Sequence, residues 1–191
     1  HFWKNVLPAC SGKLTFPTIE TESGDVIRDG AAIIDHYEEK GGHQFSPVAP
    51  KQRLLSLLFD VIGAEGLLRP AMHYRWDFDE DNEEFLLFHF QNVNVMTFIR
   101  ENVCPMWGVT PKVHELIETY HETSLQKLNA HFAQHPYFLG GKPCRGDFGM
   151  IAPFYGHLGR DPAPLSLMQK NAVRLFRWTE RMNRPEPDIG E

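Results

Sequence analysis

The sequence predicts an α+β fold that is mostly α. A small hairpin-plus-helix unit, residues 1–42, precedes an all-helical domain, residues 48–183, and a tail, residues 184–191. Three observations carry this. Two short β-type runs, residues 15–20 and 25–27, flank the turn Thr21-Glu22-Ser23-Gly24. From about Pro50 onward apolar residues recur at helical rather than alternating spacing. Residues 135–151 read as a helix end, a glycine turn, and the start of a second, almost wholly buried helix.

Each element has its own justification. Residues 1–13 hold turn formers at both ends and read as loop plus a fragment of helix. Pro17 cannot donate to a ladder, so the first strand is an edge or the Phe16–Pro17 bond is cis. Asp29 caps a helix from Gly30 to about Lys40 with Ile33, Ile34 and Tyr37 inward, and Gly41-Gly42 ends it. A long helix is expected from Lys51 to about Tyr74, with Leu54, Leu55, Leu57, Leu58, Val61 and Ile62 covering much of it. Residues 77–84 read as an acidic break. A helix carrying Phe85, Phe88, Phe90 and Phe98 should follow, to Glu101. Thr110 and Pro111 start a helix to about Gln134, facing the core with Val113, Leu116, Ile117, Tyr120, Leu128 and Phe132. Gly140-Gly141 closes the turn after it. Cys144 falls at the next N-cap, with Asp147 three residues on to reach back to it, and Phe148, Ile151, Ala152, Tyr155 and Leu158 are expected inward. A last helix runs from about Pro164 to Met182, with Leu167, Val173, Phe176 and Trp178 in the core.

Composition bounds the function. The chain has 191 residues, 42% of them hydrophobic, enough for one ordinary domain or two small ones. Its net charge of −6 and the lack of a basic stripe argue against nucleic acid or an anionic membrane as partner. The most apolar run, residues 54–68, is too short and too polar to span a bilayer. No signal-peptide pattern opens the chain. Cys10, Cys104 and Cys144 are odd in number and far apart, which points to a reducing, cytoplasmic setting.

Chemistry concentrates at the hairpin. Pro17 leaves backbone groups unpaired that a peptide-like ligand could join, and the free N–H groups of the helix opened by Asp29-Gly30 suit a carboxylate. The spacing alone favours an ordinary hairpin with an ordinary cap. Asp77, Asp79 and Asp81 alternate like a calcium loop, but Asn82 and Phe88 stand where that loop needs Gly and Glu. His131 and His135 lie four apart without a third ligand. No metal site is therefore expected. Cys10 has no positive helix end beside it and reads as a structural or surface thiol.

Pro17, the hairpin and residues 24–37 resemble the second half of the thioredoxin-like domain of cytosolic glutathione transferases. Residues 137–148, with Asp147, resemble that superfamily's signature in its helical domain. The resemblance covers nearly the whole chain. It implies a partial thioredoxin-like N-terminal domain followed by the all-helical C-terminal domain of that superfamily, probed by a small peptide substrate, glutathione. Phe16 and a cis Pro17 would meet its cysteinyl part, and Asp29 and Gly30 its γ-glutamyl end. Met72, His73, Tyr74 and Trp76 would line the pocket for an apolar co-substrate. Cys144 and Asp147 would be the structural helix cap. If active, such a protein conjugates glutathione to an apolar electrophile and forms homodimers, with no metal cofactor. Two departures bear on activity. Gly30 replaces the usual Ser or Thr. The Tyr, Ser or Cys that activates the thiol belongs roughly 50 residues before the proline, and only sixteen precede Pro17 here, so no catalytic residue is assigned. A non-catalytic binding or scaffolding module, or a glutathione-dependent reductase or dehalogenase, fits the same resemblance.

Overall fold

The computed structural model describes residues 17–184. The expectations for residues 1–13, for Cys10 and Phe16, and for most of the tail lie outside the described residues. Strand β1 (Thr18–Glu20) pairs antiparallel with β2 (Val26–Arg28), with Ile19 opposite Ile27. The turn closes through Gly24, whose φ of 85° needs glycine's freedom, and its N–H donates to Thr21. Helix α1 (Gly30–Gly41) starts on Asp29, whose carboxylate accepts from the Ala31 N–H at 2.8 Å. It stops at Gly42 in the left-handed conformation.

Among the described residues the chain after α1 is helical apart from its turns, loops and one isolated bridge, Tyr137 to Gly140. Its main helices are α2 (Pro50–Val61), α3 (Leu68–Trp76), α4 (Asp79–Phe90), α5 (Val93–Phe98), α6 (His114–His131), α7 (Arg145–Pro153), α8 (Pro162–Asn171) and α9 (Val173–Met182). No helix among them is long and apolar enough to cross a membrane.

The buried start of α7 organises the helical part. Cys144 and Asp147 form a capping box, in which the Asp147 carboxylate accepts from the Cys144 N–H at 2.9 Å. The same carboxylate accepts from the Phe138 N–H at 3.2 Å and from Trp178 Nε1 at 3.0 Å. Asp147 is fully buried, so one side chain satisfies three interior donors from three segments. Burial holds its carboxyl above the ordinary value, against the pull of those donors.

Helix α7 lies unusually close to α2 and the wide turn after it. A Cβ on Gly149 would sit 2.5 Å from Asp60 Cα, and one on Gly146 would sit 2.8 Å from the Ser56 carbonyl oxygen. A Cβ on Gly63 would sit 2.4 Å from the Gly149 oxygen. Three glycines therefore let the backbones meet, and Ser56 Oγ fills the seam by accepting from the Gly146 N–H.

This contact corrects several expectations. Leu54, Leu55, Leu57, Leu58, Val61 and Ile62 are not core residues but are 38–58% exposed. Helix α2 buries Ser56, because its glycine-facing side goes inward. On α7 and the wide turns that continue it, the inward residues include Gly149, Met150, Pro153 and Phe154, while Ala152 and Tyr155 face solvent. Leu116, Tyr120 and Val173 are likewise exposed, and His121, Leu125 and Leu175 hold the corresponding core positions. Tyr37 is 56% exposed and Glu38 is the buried residue of α1.

Helix limits shift for local reasons. The long helix is interrupted at residues 62–67, where the Leu67 N–H reaches back five residues to Ile62. The acidic break is confined to Asp77 and Phe78: Asp79, Glu80 and Asp81 already form the first turn of α4, where carboxylates favour the exposed N–H groups. The next helix stops at Gln91, left-handed at φ 51°, and restarts because Asn92 Oδ1 accepts from the N–H groups of Asn94 and Val95. The last helix splits at Ala172 (φ −143°), and Asn129 of α6 caps the restart by accepting from the Arg174 N–H.

Candidate functional site

The sequence-derived ligand site begins at the hairpin. The Asp29 N–H donates to the Pro17 carbonyl at 3.1 Å, which fixes the start of β1 against the start of α1. Pro17 and Asp29 are exposed and Gly30 is half-buried, so this corner is open to solvent. The Asp29 carboxylate occupies the Ala31 N–H, while the Ile33 N–H bonds the Asp29 carbonyl. Gly30 and Ala32 belong to the first turn, where the N–H groups make up the positive end of the helix. Among the described residues, a Cβ on Gly30 would meet Pro17 Cγ at 3.9 Å, an ordinary contact that leaves room for a larger side chain.

The small unit is tied to the helical part by two charged residues. Buried Glu38 accepts from the Phe45 N–H at 3.0 Å and from Ser46 Oγ at 2.7 Å. Arg145, at the start of α7, bridges Asp35 of α1 and Asp60 of α2. Beside these ties lies an apolar cavity of about 320 Å³ lined chiefly by Ile33, Ile34, Tyr37, Phe45 and Phe148. A polar cleft of about 170 Å³ lies on the other side of Glu38, reaching Arg53 and Arg145.

The four residues expected to line a co-substrate pocket sit elsewhere. Met72, His73, Tyr74 and Trp76 of α3 are all buried, at 7%, 2%, 1% and 2% exposure. None of them lines either cavity. Tyr74 stacks on Phe78, and burial pushes its hydroxyl well above the ordinary range. The reason is the next bond layer: Asn82 of α4 donates to the Tyr74 carbonyl and accepts from the Ala163 N–H, pinning α3 between α4 and α8. Arg75 adds a paired contact to fully buried Asp161, at 2.6 and 2.8 Å.

Two buried thiols are inert. Burial pushes both Cys104 and Cys144 up to about 11, so neither carries a thiolate near neutral pH. His131 Nε2–H donates to the Tyr137 carbonyl at 3.2 Å rather than pairing with His135 on a ligand.

A cluster the sequence reading missed joins α3 to α6. His73 Nδ1 lies 2.8 Å from Asp77 Oδ2, and its Nε2 lies 2.9 Å from Glu118 Oε1. His114 Nε2 lies 3.3 Å from the same Asp77 oxygen. The available signal was a pair of four-residue spacings, His73/Asp77 and His114/Glu118, each on one helix face. Burial alone would lower His73, but the bonds and charges of Asp77 and Glu118 outweigh it and hold it raised.

No family model matches the sequence. No curated relative matches it either. Among solved structures, a glutathione S-transferase from Xanthobacter autotrophicus Py2 is similar in fold. The superposition has a TM-score of 0.53 at 16% identity and covers 98% of this chain and 76% of that one. At that identity the likeness concerns the fold: a mostly helical chain with a small two-stranded sheet, arranged as in a glutathione transferase-like protein.

Proposed function

We propose that this chain is a glutathione transferase-like protein that binds glutathione where β1 and α1 begin. One observation carries the reading: an exposed, carboxylate-capped helix start lies against Pro17 in a chain that is similar in fold, over 98% of its length, to a glutathione transferase. The Gly30 and Ala32 N–H groups would take the γ-glutamyl carboxylate, and the Asp29 carboxylate its ammonium. The backbone of Phe16, beside Pro17, would pair with the cysteinyl part. In conjugation the thiol proton leaves, the sulfur bonds to the electrophilic carbon, and the leaving group departs with its electron pair. The group that takes the proton is not assigned to any residue here. For an apolar electrophile, the cavity at Ile33, Ile34, Tyr37, Phe45 and Phe148 offers a wall that the buried Met72, His73, Tyr74 and Trp76 do not.

Gly30 favours a second reading, a binding module without catalysis, because a hydroxyl would fit there and is absent. Calorimetric titration with glutathione, followed by a conjugation assay on an aryl halide, separates the two. Heat without turnover selects the module. No heat and no thermal stabilisation at millimolar glutathione would sink both. Gly30→Ser should tighten binding, and Asp29→Ala should weaken it while helix content is kept.

A homodimer is part of the proposal. Leu54, Leu58 and Val61 follow one face of α2 and are 58%, 48% and 58% exposed, which supports an apolar contact between copies. Light scattering should give twice the chain mass, and Leu58→Glu should return the monomer. A cytoplasmic setting is supported by the free, buried thiols of Cys104 and Cys144.

A further inference from the structure

We infer that His73, Asp77 and His114 form a binding site for a divalent transition cation, Zn²⁺ by the donor set, between α3 and α6. The inference is independent of the glutathione reading.

The donors are two imidazoles and a carboxylate, the mixture that suits zinc and its neighbours. Their ligand atoms all lie within 4.8 Å of one another. Two contacts are already close: His73 Nδ1 at 2.8 Å and His114 Nε2 at 3.3 Å, both to Asp77 Oδ2. Ligand bonds of about 2.0–2.2 Å put neighbouring tetrahedral donors roughly 3.3 Å apart. The His114 pair has that spacing already. The His73 pair must open by about half an ångström, and Asp77 can supply it, because it is the C-terminal cap residue of α3 and is 30% exposed.

Glu118 is the telling partner. A metal-bound histidine characteristically hands its other ring nitrogen to a carboxylate, which fixes the ring and raises its basicity. Glu118 Oε1 stands 2.9 Å from His73 Nε2 and does this from the opposite helix. The His73 and His114 rings lie 4.1 Å apart at a 42° tilt, so both can aim a nitrogen at one point. With both imidazoles neutral, as ligation requires, the four side chains carry two negative charges that a divalent ion balances. Protein supplies three ligands, and the partial exposure of Asp77 and His114 leaves a fourth position for water.

The test uses the purified chain stripped with chelator. Zn²⁺ is titrated by calorimetry, and Co²⁺ by its visible absorption, which becomes intense on tetrahedral ligation. One saturable equivalent is expected, with tetrahedral Co²⁺ bands that Zn²⁺ abolishes. Asp77→Asn and His114→Gln, both at partly exposed positions, should remove that equivalent while circular dichroism stays unchanged. Glu118→Gln should weaken binding about 10–100-fold without changing the stoichiometry. His131→Gln/His135→Gln should leave it intact. Absence of a saturable equivalent would overturn the proposal. So would an equivalent that survives Asp77→Asn and His114→Gln together, or one that is lost with His131 and His135.

Discussion

Replacing Asp147 by Ala removes the acceptor of three interior donors at once: the Cys144 N–H, the Phe138 N–H and the Trp178 indole. Each orphaned buried donor costs about 1–3 kcal/mol. Against this, the burial that holds the carboxyl above its ordinary value is relieved. The lower part of that sum of about 3–9 kcal/mol is therefore the better figure, a loss of about 4 kcal/mol. For a chain of this size that is a fall in Tm of roughly 8–16 °C. Urea denaturation followed by circular dichroism measures it. Asp147→Asn keeps one acceptor oxygen and no charge, so its loss should be about half as large. A double-mutant cycle with Trp178→Phe isolates one bond, since the packing lost with the indole cancels. A coupling of about 1–2 kcal/mol is expected. A loss below about 1 kcal/mol for Asp147→Ala, or no coupling to Trp178, would refute the assignment of this carboxylate as the tie between the three segments.

Gly149→Ala should cost about 3 kcal/mol or more by forcing α2 and α7 apart, whereas Gly156→Ala, with nothing within 4 Å, should be neutral or better; equal melting temperatures would contradict the close crossing. Burial pushes His157 and His121 down to about 4, with nearby Arg75 for the first and His73 for the second adding to it. Their unfolded forms bind protons first, so the stability these two histidines contribute should be full above about pH 6.5 and fall towards pH 4, and a flat pH–Tm curve between about pH 4 and 6.5 would disprove it. Cys144→Ser should raise stability by about 0.5–2 kcal/mol, because a hydroxyl accepts better than a thiol at the N-cap; a lower Tm would show that the buried site prefers sulfur.

What was legible in the chain is what local chemistry decides. Asp29 capping α1, Gly42 ending it, the Thr21–Gly24 turn and the Cys144/Asp147 box all depend on residues within four positions of one another. Helix faces were harder. On α2 the leucines mark the apolar side, yet the side that goes inward is set by Gly146 and Gly149, some 90 residues later. The breaks at Gln91-Asn92 and Ala172 are written in a left-handed residue and in a cap borrowed from Asn129, neither of which disturbs the apolar period. The His73 cluster escaped for the same reason: two unremarkable spacings become one site only when α3 and α6 are brought together.

The Glu38 contact has a mechanical consequence. A diglycine after α1 invites the expectation of a swivel. Yet the carboxylate one turn before it clasps the backbone of Phe45, and the Phe45 carbonyl in turn accepts from the Arg145 N–H at 2.9 Å. The connector is thus splinted from both ends, by the helix it leaves and by the helix it passes. Motion between the small unit and the helical part then requires breaking interior bonds rather than turning glycine torsions. A ligand held at the start of α1 would accordingly be presented to a wall at fixed distance, and an enzyme or binding module built this way would select partners by shape more than by closure.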